Sequence, residues 1–115
     1  MTFNVLTASN QQIFDRAVTA LILQGRKAGE SNAEGDFRCM YRAPNGDKCA
    51  AGHVLNDNQI PVEGQAAHCM KVFLPSETLS LISALQRAHD EADASYFVSS
   101  FIIAARGVAE RFNLL

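Results

Sequence analysis

Residues 37–51 read FRCMYRAPNGDKCAA, and this stretch decides the predicted fold. From Phe37 to Arg42, Phe, Cys and Tyr alternate with Arg, Met and Arg, which is the period-two pattern of a strand with two unlike faces. Strong turn chemistry follows at 43–47, because proline presets φ for a corner and Gly46 accepts a positive φ. A short return strand from Lys48 to about residue 51 completes a predicted two-stranded antiparallel hairpin.

Three longer segments around the hairpin have the periodicity of helices. Ser9 and Gln12 form a capping-box pattern ahead of a helix predicted over about 10–27. A second helix is predicted after Ser76, which is a good N-cap residue, and a third helix after Asp93. The side chains predicted to face the core recur at three- and four-residue steps: Ile13, Phe14, Ala17, Val18, Leu21, Ile22, Leu79, Ile82, Leu85, Ala88, Ala92, Phe97, Phe101, Ala105, Val108 and Phe112.

The pattern is weaker between the hairpin and the second long helix. Residues 53–55 either extend the return strand or begin a helical turn, and residues 63–72 favour a short helix. We therefore predict an α+β fold in one globular domain over residues 1–115, with three main helices and a two-stranded antiparallel hairpin.

The composition indicates a folded domain and limits its partners. The chain has 115 residues, 48% of them apolar and 19% charged, which is enough for one core and unlike a disordered chain. Its formal net charge of -2 argues against a general phosphate-backbone binder. The apolar runs are far shorter than the ~20 residues that span a bilayer, and the first residues lack the pattern of a signal peptide. We expect a cytoplasmic protein with no membrane partner and three reduced cysteines.

A family resemblance begins at the hairpin. Residues 39–52 fit the pattern C-x-Y-R-x-x-x-G-x-x-C-A-x-G, Phe14 and Asp15 precede it, and the sequence LQRAHD follows at 85–90. In this order the motifs resemble a group of small bacterial and bacteriophage proteins with no characterised activity. The resemblance implies the same fold and a bacterial or phage origin, and it implies no reaction.

Cysteine and histidine residues near the hairpin raise the question of a metal site. Thiolates and imidazole suit tetrahedral zinc, and the candidate ligands are Cys39, Cys49, His53 and Cys69, with His68 as an alternative. Nine residues separate the first two cysteines and no C-x-x-C is present, which is unlike a zinc knuckle. We therefore predict that the cysteines are small apolar core side chains and that the protein holds no metal and no cofactor.

A catalytic thiol is the enzymatic alternative. Cys49 could act as a nucleophile with His53, or with His89 and Asp90, as base and orienting group. This chemistry needs an exposed thiolate in an electropositive pocket, with imidazole within hydrogen-bond reach. The sequence contains neither a nucleophile-elbow motif nor a phosphate-binding glycine loop, so we predict no catalytic residues.

The junction of the last two helices contains His89, Asp90, Glu91 and Asp93. A histidine near a helix C-terminus interacts well with the helix dipole, and an aspartate before the next helix can cap it. Capping therefore explains these residues better than metal binding or acid–base catalysis does. His89, Asp90 and Asp93 remain the secondary candidate site.

The face of the hairpin opposite Cys39 is basic. Arg38, Arg42 and Lys48 lie on it with Met40 between them, and this patch suits an acidic protein surface. It has no interleaved aromatic residues, which makes nucleic acid a less favoured partner. These four residues are the predicted partner-binding site.

We therefore predict a non-enzymatic phage or bacterial accessory protein that binds a protein partner with an acidic surface and modulates or inhibits a host factor. Two alternatives stay open from the sequence: a small Cys-centred metal-binding protein or enzyme, and a nucleic-acid-binding accessory factor. The expected location is the cytoplasm of a bacterial or phage-infected cell, and the oligomeric state is not determined by the sequence.

Overall fold

Four helices and two short strands make up the computed structural model, which describes residues 3–31, 37–39, 43–55, 75–93 and 95–115. In chain order they are α1 (Asn10–Gln24), β1 (Gly29–Ser31), β2 (Phe37–Cys39), α2 (Ala50–Val54), α3 (Ser76–Glu91) and α4 (Phe97–Arg111). The helix predicted at 63–72 lies outside the described residues.

Helix α1 begins as its sequence predicts and ends earlier. The Ser9 side chain accepts a hydrogen bond from the Gln12 backbone N–H, and the Gln12 side chain accepts one from the Ser9 N–H, so the predicted capping box is confirmed. The helix ends at Gln24 because Gly25 adopts a left-handed conformation with φ of 76° and donates its N–H to the carbonyl of Leu21. The predicted extension to Lys27 is therefore wrong.

The two C-terminal helices start differently from the prediction. Pro75, and not Ser76, occupies the N-cap position of α3, and it provides no side-chain cap. Asp93 does not cap α4, which begins at Phe97; its carboxylate accepts a hydrogen bond from the backbone N–H of Ser95 at 2.8 Å. The carboxylate thus stabilises the turn between the helices, where a short polar side chain competes well for local backbone donors.

The predicted α+β fold class is wrong, because the described chain is mainly helical and the end of the predicted return strand is part of a helix. Strand β2 pairs antiparallel with β1, three residues each, with Gly29 opposite Cys39. The predicted return strand instead leads into α2, and Cys49 is its N-cap, with Sγ accepting a hydrogen bond from Gly52 N–H at 3.4 Å. Alanine favours helix over strand, and α2 buries both Ala50 and Ala51.

Residues 53–55 were predicted either to extend the return strand or to begin a helical turn. His53 and Val54 are helical, and α2 ends at Val54. The predicted turn at 43–47 is also confirmed. The Ala43 N–H donates to the Asp47 carbonyl at 2.8 Å, and Gly46 has a φ of 94°. A turn depends on neighbouring residues and can therefore be predicted from the sequence. Which segment pairs with a strand depends on tertiary contacts, which local sequence does not show.

The four helices share one core. Its largest fully buried side chains come from α1, α2, α3 and α4 and from the segment before α2: Ile13, Leu21, Cys49, Val54, Leu81, Ile82, Leu85, His89 and Phe101. Phe97 and Phe101 stack with their ring centroids 5.5 Å apart. Within the described residues, every helix is too short or too polar to cross a bilayer.

The turn at Gly46 gives a direct test of this backbone. An ideal Cβ at this position meets no atom within 4 Å, so substitution here perturbs only the backbone. Gly46→Val should lower the free energy of unfolding by about 1–3 kcal/mol, because a β-branched residue is strained at positive φ. Gly46→Asn is the matched control and should lose much less, because asparagine tolerates this region. Urea denaturation measures both, and equal stability of the two variants would contradict the turn.

Candidate functional site

The Gln24 side chain at the end of α1 connects three segments of the fold. Its Oε1 accepts the backbone N–H of Lys48 at 2.9 Å and lies 3.0 Å from Nε2 of His53. Its Nε2 donates to the carbonyls of Arg26 at 2.8 Å and Lys48 at 3.0 Å. Because a backbone N–H fixes which atom of the amide is oxygen, His53 must donate from Nε2, which determines the tautomer of its ring.

A second polar contact joins the Gly25–Ala28 segment to the turn. Arg26 donates to both carboxylate oxygens of Asp47, with Nη2 3.0 Å from Oδ1, and Asn45 donates to Oδ2 at 3.1 Å. The Asp47 residue is buried, whereas the Arg26 side chain is 63% exposed. The hydrogen bond from Arg26 lowers the pKa of Asp47, against the opposing effect of burial. Asp47 therefore holds the turn as a buried anion.

His89 is the third connection, and it is fully buried in α3. Its Nε2 accepts the backbone N–H of Ala28 at 3.0 Å, and its Nδ1 lies 2.8 Å from Oδ1 of Asp90. A nitrogen that accepts from an N–H carries no proton, so Nδ1 is the donor to Asp90. The ring edge also contacts the face of Phe97 at a centroid distance of 5.9 Å. Both nitrogens of His89 are therefore engaged within the fold.

In the secondary candidate site of His89, Asp90 and Asp93, His89 therefore has a structural role. Asp90 Oδ1 also accepts from Gln86, whose Oε1 accepts the backbone N–H of Ala51 in α2. Lys27 donates to the Asp90 carbonyl at 2.9 Å. His89 lies in the last turn of α3, as predicted, and its hydrogen bond with the backbone of Ala28 is a distant contact that sequence spacing does not reveal.

The structure does not place Cys49 as a catalytic nucleophile. The residue is fully buried, and burial raises the pKa of the Cys49 thiol to about 12. Burial is also the main cause that lowers the pKa of His53 to about 4. Proton transfer from Cys49 to His53 is therefore strongly unfavourable, and a thiolate–imidazolium pair has no support here.

The metal candidates are only partly within the described residues. Cys69, with its alternative His68, and the side chain of Cys39 lie outside them, while His53 already uses one nitrogen on Gln24. Throughout the described ranges, no three His, Cys, Asp or Glu side chains are placed to hold a metal ion.

Of the four predicted partner-binding residues, only Lys48 has a described side chain. It is half-buried, and its backbone N–H and carbonyl are both bonded to Gln24. Arg38 lies in β2 opposite Glu30 in register, whereas Met40 and Arg42 fall outside the described residues. The basic patch therefore stays a prediction.

A surface that the sequence analysis missed lies between α3 and α4. We name it the arginine groove, and it is about 320 Å³ at the end lined by Leu79, Ser80, Ser83, Ala84, Arg87 and Arg111. A second, adjoining part has a volume of about 240 Å³ and is also lined by Ala88, Glu91, Ala104, Gly107 and Val108. The serine and arginine positions of α3 follow helical spacing, but Arg111 joins them only through helix packing.

No protein-family model, no curated protein and no solved structure matches this chain. The resemblance to small bacterial and phage proteins therefore stays a prediction.

The buried environment of His53 predicts how stability depends on pH. The charges of Lys48 and Arg16 add to burial in lowering the pKa of His53, and Asp47 opposes them. Because the pKa is about 4 in the folded protein and 6.5 in the unfolded chain, only the unfolded chain takes up this proton between those values. The stability contributed by neutral His53 is therefore full above pH 6.5 and is lost as the pH falls towards 4.

We expect this contribution to fall by about 1–2 kcal/mol between pH 7 and pH 4.5, less than the whole shift implies because the ring is partly exposed. Asp47 does not contribute in this window, since its lowered pKa places its loss of stability below the ordinary value of 3.8. Urea denaturation across the range, with His53→Gln as control, measures the effect. A variant that keeps the wild-type pH slope would contradict the assignment.

Proposed function

We propose that this chain is a non-enzymatic accessory protein that binds an acidic segment of a partner protein in the arginine groove. The observation that carries the proposal is that two arginines from different helices, Arg87 of α3 and Arg111 of α4, line one groove together with Ser80 and Ser83. The proposed setting is the cytoplasm of a bacterial or phage-infected cell.

Guanidinium groups suit this task because their planar fork binds a carboxylate through two parallel hydrogen bonds. Arg87 is 78% exposed and pairs with Glu91, itself 66% exposed, at 3.1 Å. Exposed pairs of this kind contribute about 0–1 kcal/mol, so a carboxylate of the partner can replace Glu91 at little cost. Arg87 is therefore available for binding.

Arg111 is held differently. Its guanidinium carbon lies 5.3 Å from the centroid of the Phe112 ring, a cation–π contact that restricts the side chain. A guanidinium has five N–H donors, so a contact with one ring leaves donors that can bind an anion. Arg111 is thus partly pre-organised, which reduces the entropy lost on binding.

The shape of the groove favours an extended segment over a single ion. Its two parts share Ala84, Arg87 and Arg111, so they adjoin one another along the helix pair. Gly107 adds no side chain, and an ideal Cβ there meets nothing within 4 Å. Leu79 at one end gives an apolar contact, so the preferred segment combines carboxylates with aliphatic side chains.

The two alternative functions have less support. The pKa values of Cys49 and His53 do not favour thiol catalysis. The described lining of the groove contains no aromatic ring on which a base could stack, and the chain has a net charge of -2, which disfavours nucleic acid. The predicted patch of Arg38, Met40, Arg42 and Lys48 would extend the same preference for acidic partners.

Fluorescence anisotropy with a labelled peptide of alternating Glu and Leu tests the proposal. Arg87→Glu combined with Arg111→Glu should weaken the Kd at least tenfold, equivalent to about 1.4 kcal/mol or more, and flatten its salt dependence. Thermal denaturation should remain close to wild type, because both side chains are exposed. Arg106→Glu is the matched single-charge control for Arg111→Glu, since it lies on the same helix away from the groove, and should leave the Kd unchanged.

Three results would contradict binding of the acidic peptide in the arginine groove. The first is wild-type affinity in the folded double variant, and the second is equal weakening by Arg106→Glu, which would indicate a general charge effect. The third is tighter binding of single-stranded poly-U RNA than of the peptide, which would favour the nucleic-acid alternative.

A further inference from the structure

The side of α4 that faces away from the arginine groove is apolar and open. With α1 it borders a groove of about 400 Å³, which we name the apolar groove, lined by Phe14, Val18, Ile22, Ile102, Ala105, Arg106, Ala109, Glu110 and Leu115. Nearby on α4, Ile103 is 72% exposed. Exposed apolar surface beside a groove is typical of an interaction site.

Among the described residues, two charged side chains line the apolar groove, Arg106 and Glu110. They lie four residues apart on α4, about 6 Å along its axis, and both are exposed. Within the described part of the chain, neither forms an ion pair with the other or with a third residue. The order of the pair, with the cation nearer the N-terminus, is the weaker arrangement within one helix.

We propose that a second copy of this chain covers the apolar groove, with the two α4 helices antiparallel across a twofold axis. An axis at the height of Val108, midway between the two charges, places Arg106 of each copy opposite Glu110 of the other. Ile102 and Ala109 line the same groove four residues before and three residues after Arg106, so half-buried apolar side chains flank both ion pairs.

A second copy fits this surface better than an unrelated partner, because a twofold interface must be complementary to itself. The apolar groove meets this condition, since its one positive and one negative side chain balance and exchange places under the rotation. The arginine groove does not meet it, because Arg87 and Arg111 outnumber Glu91 there.

The dimer would also affect binding of the proposed partner. The arginine groove lies between α4 and α3, whereas the dimer uses α4 and α1, so both arginine grooves stay open in the dimer. Two grooves on one particle allow two acidic segments of a multivalent partner to bind at once, with a gain in avidity.

Sedimentation velocity on the full chain tests the dimer through a charge exchange. Wild type should be dimeric at about 100 µM, and Arg106→Glu or Glu110→Arg alone should weaken dimerisation at least tenfold, because each variant places like charges opposite each other. An equimolar mixture of the two single variants should form a heterodimer, since each then supplies the charge that the other lacks. The double variant that carries both substitutions should recover the homodimer.

Arg87→Glu is the matched control, because it reverses a charge in the other groove and should leave the dimer intact. Far-ultraviolet circular dichroism of each variant separates dissociation from unfolding. A monomeric wild type, single variants that remain dimeric, or a mixture of folded single variants that stays monomeric would each overturn the proposal. Peptide binding in the arginine groove does not depend on these results. Failure of the dimer proposal would therefore leave the proposed binding function intact, and the reverse also holds.

Discussion

The amide of Gln24 is the interaction on which the rest of this structure depends. It bonds both backbone groups of Lys48, so the chain that leaves the turn must run past the end of α1 before α2 begins. A polar backbone group withdrawn from water needs a hydrogen-bond partner, and this one side chain bonds both part-buried backbone groups of Lys48. His89 bonds the buried backbone N–H of Ala28 in the neighbouring segment, and Asp47 binds the Arg26 side chain there.

These hydrogen bonds also explain why the residues that look chemical in the sequence are structural in the fold. Cys49 caps α2 with its sulfur, His53 donates to Gln24, and His89 uses both ring nitrogens. A group that is buried, or whose polar atoms already bond within the fold, is poorly placed to exchange protons or bind a metal. Among the described residues, guanidinium and aliphatic side chains are exposed instead on the outer faces of α3 and α4, and these faces are where we propose binding.

Sequence patterns predicted the local features and not the distant contacts. The buried stripes of α1 and α4 and the positive φ of Gly46 were predictable, because helical spacing and turn chemistry act within a few residues. The prediction of a return strand was wrong at Ala50 and Ala51. Their conformation is determined by burial against other helices and not by the preceding turn. The partners of Gln24 and the position of Arg87 and Arg111 in one groove depend on how the helices pack. Residue spacing along the chain does not predict that packing.

Native-state hydrogen exchange at the Lys48 amide tests the role of Gln24 most directly. The account predicts that this amide, although at a half-buried residue outside the helices, exchanges about as slowly as the amides of buried α1 residues and becomes faster in Gln24→Ala. The Leu6 amide, which bonds to the nearby Asn4 side chain on the exposed surface, serves as the fast reference. Exchange of Lys48 at the rate of Leu6 in the wild-type protein would contradict the account.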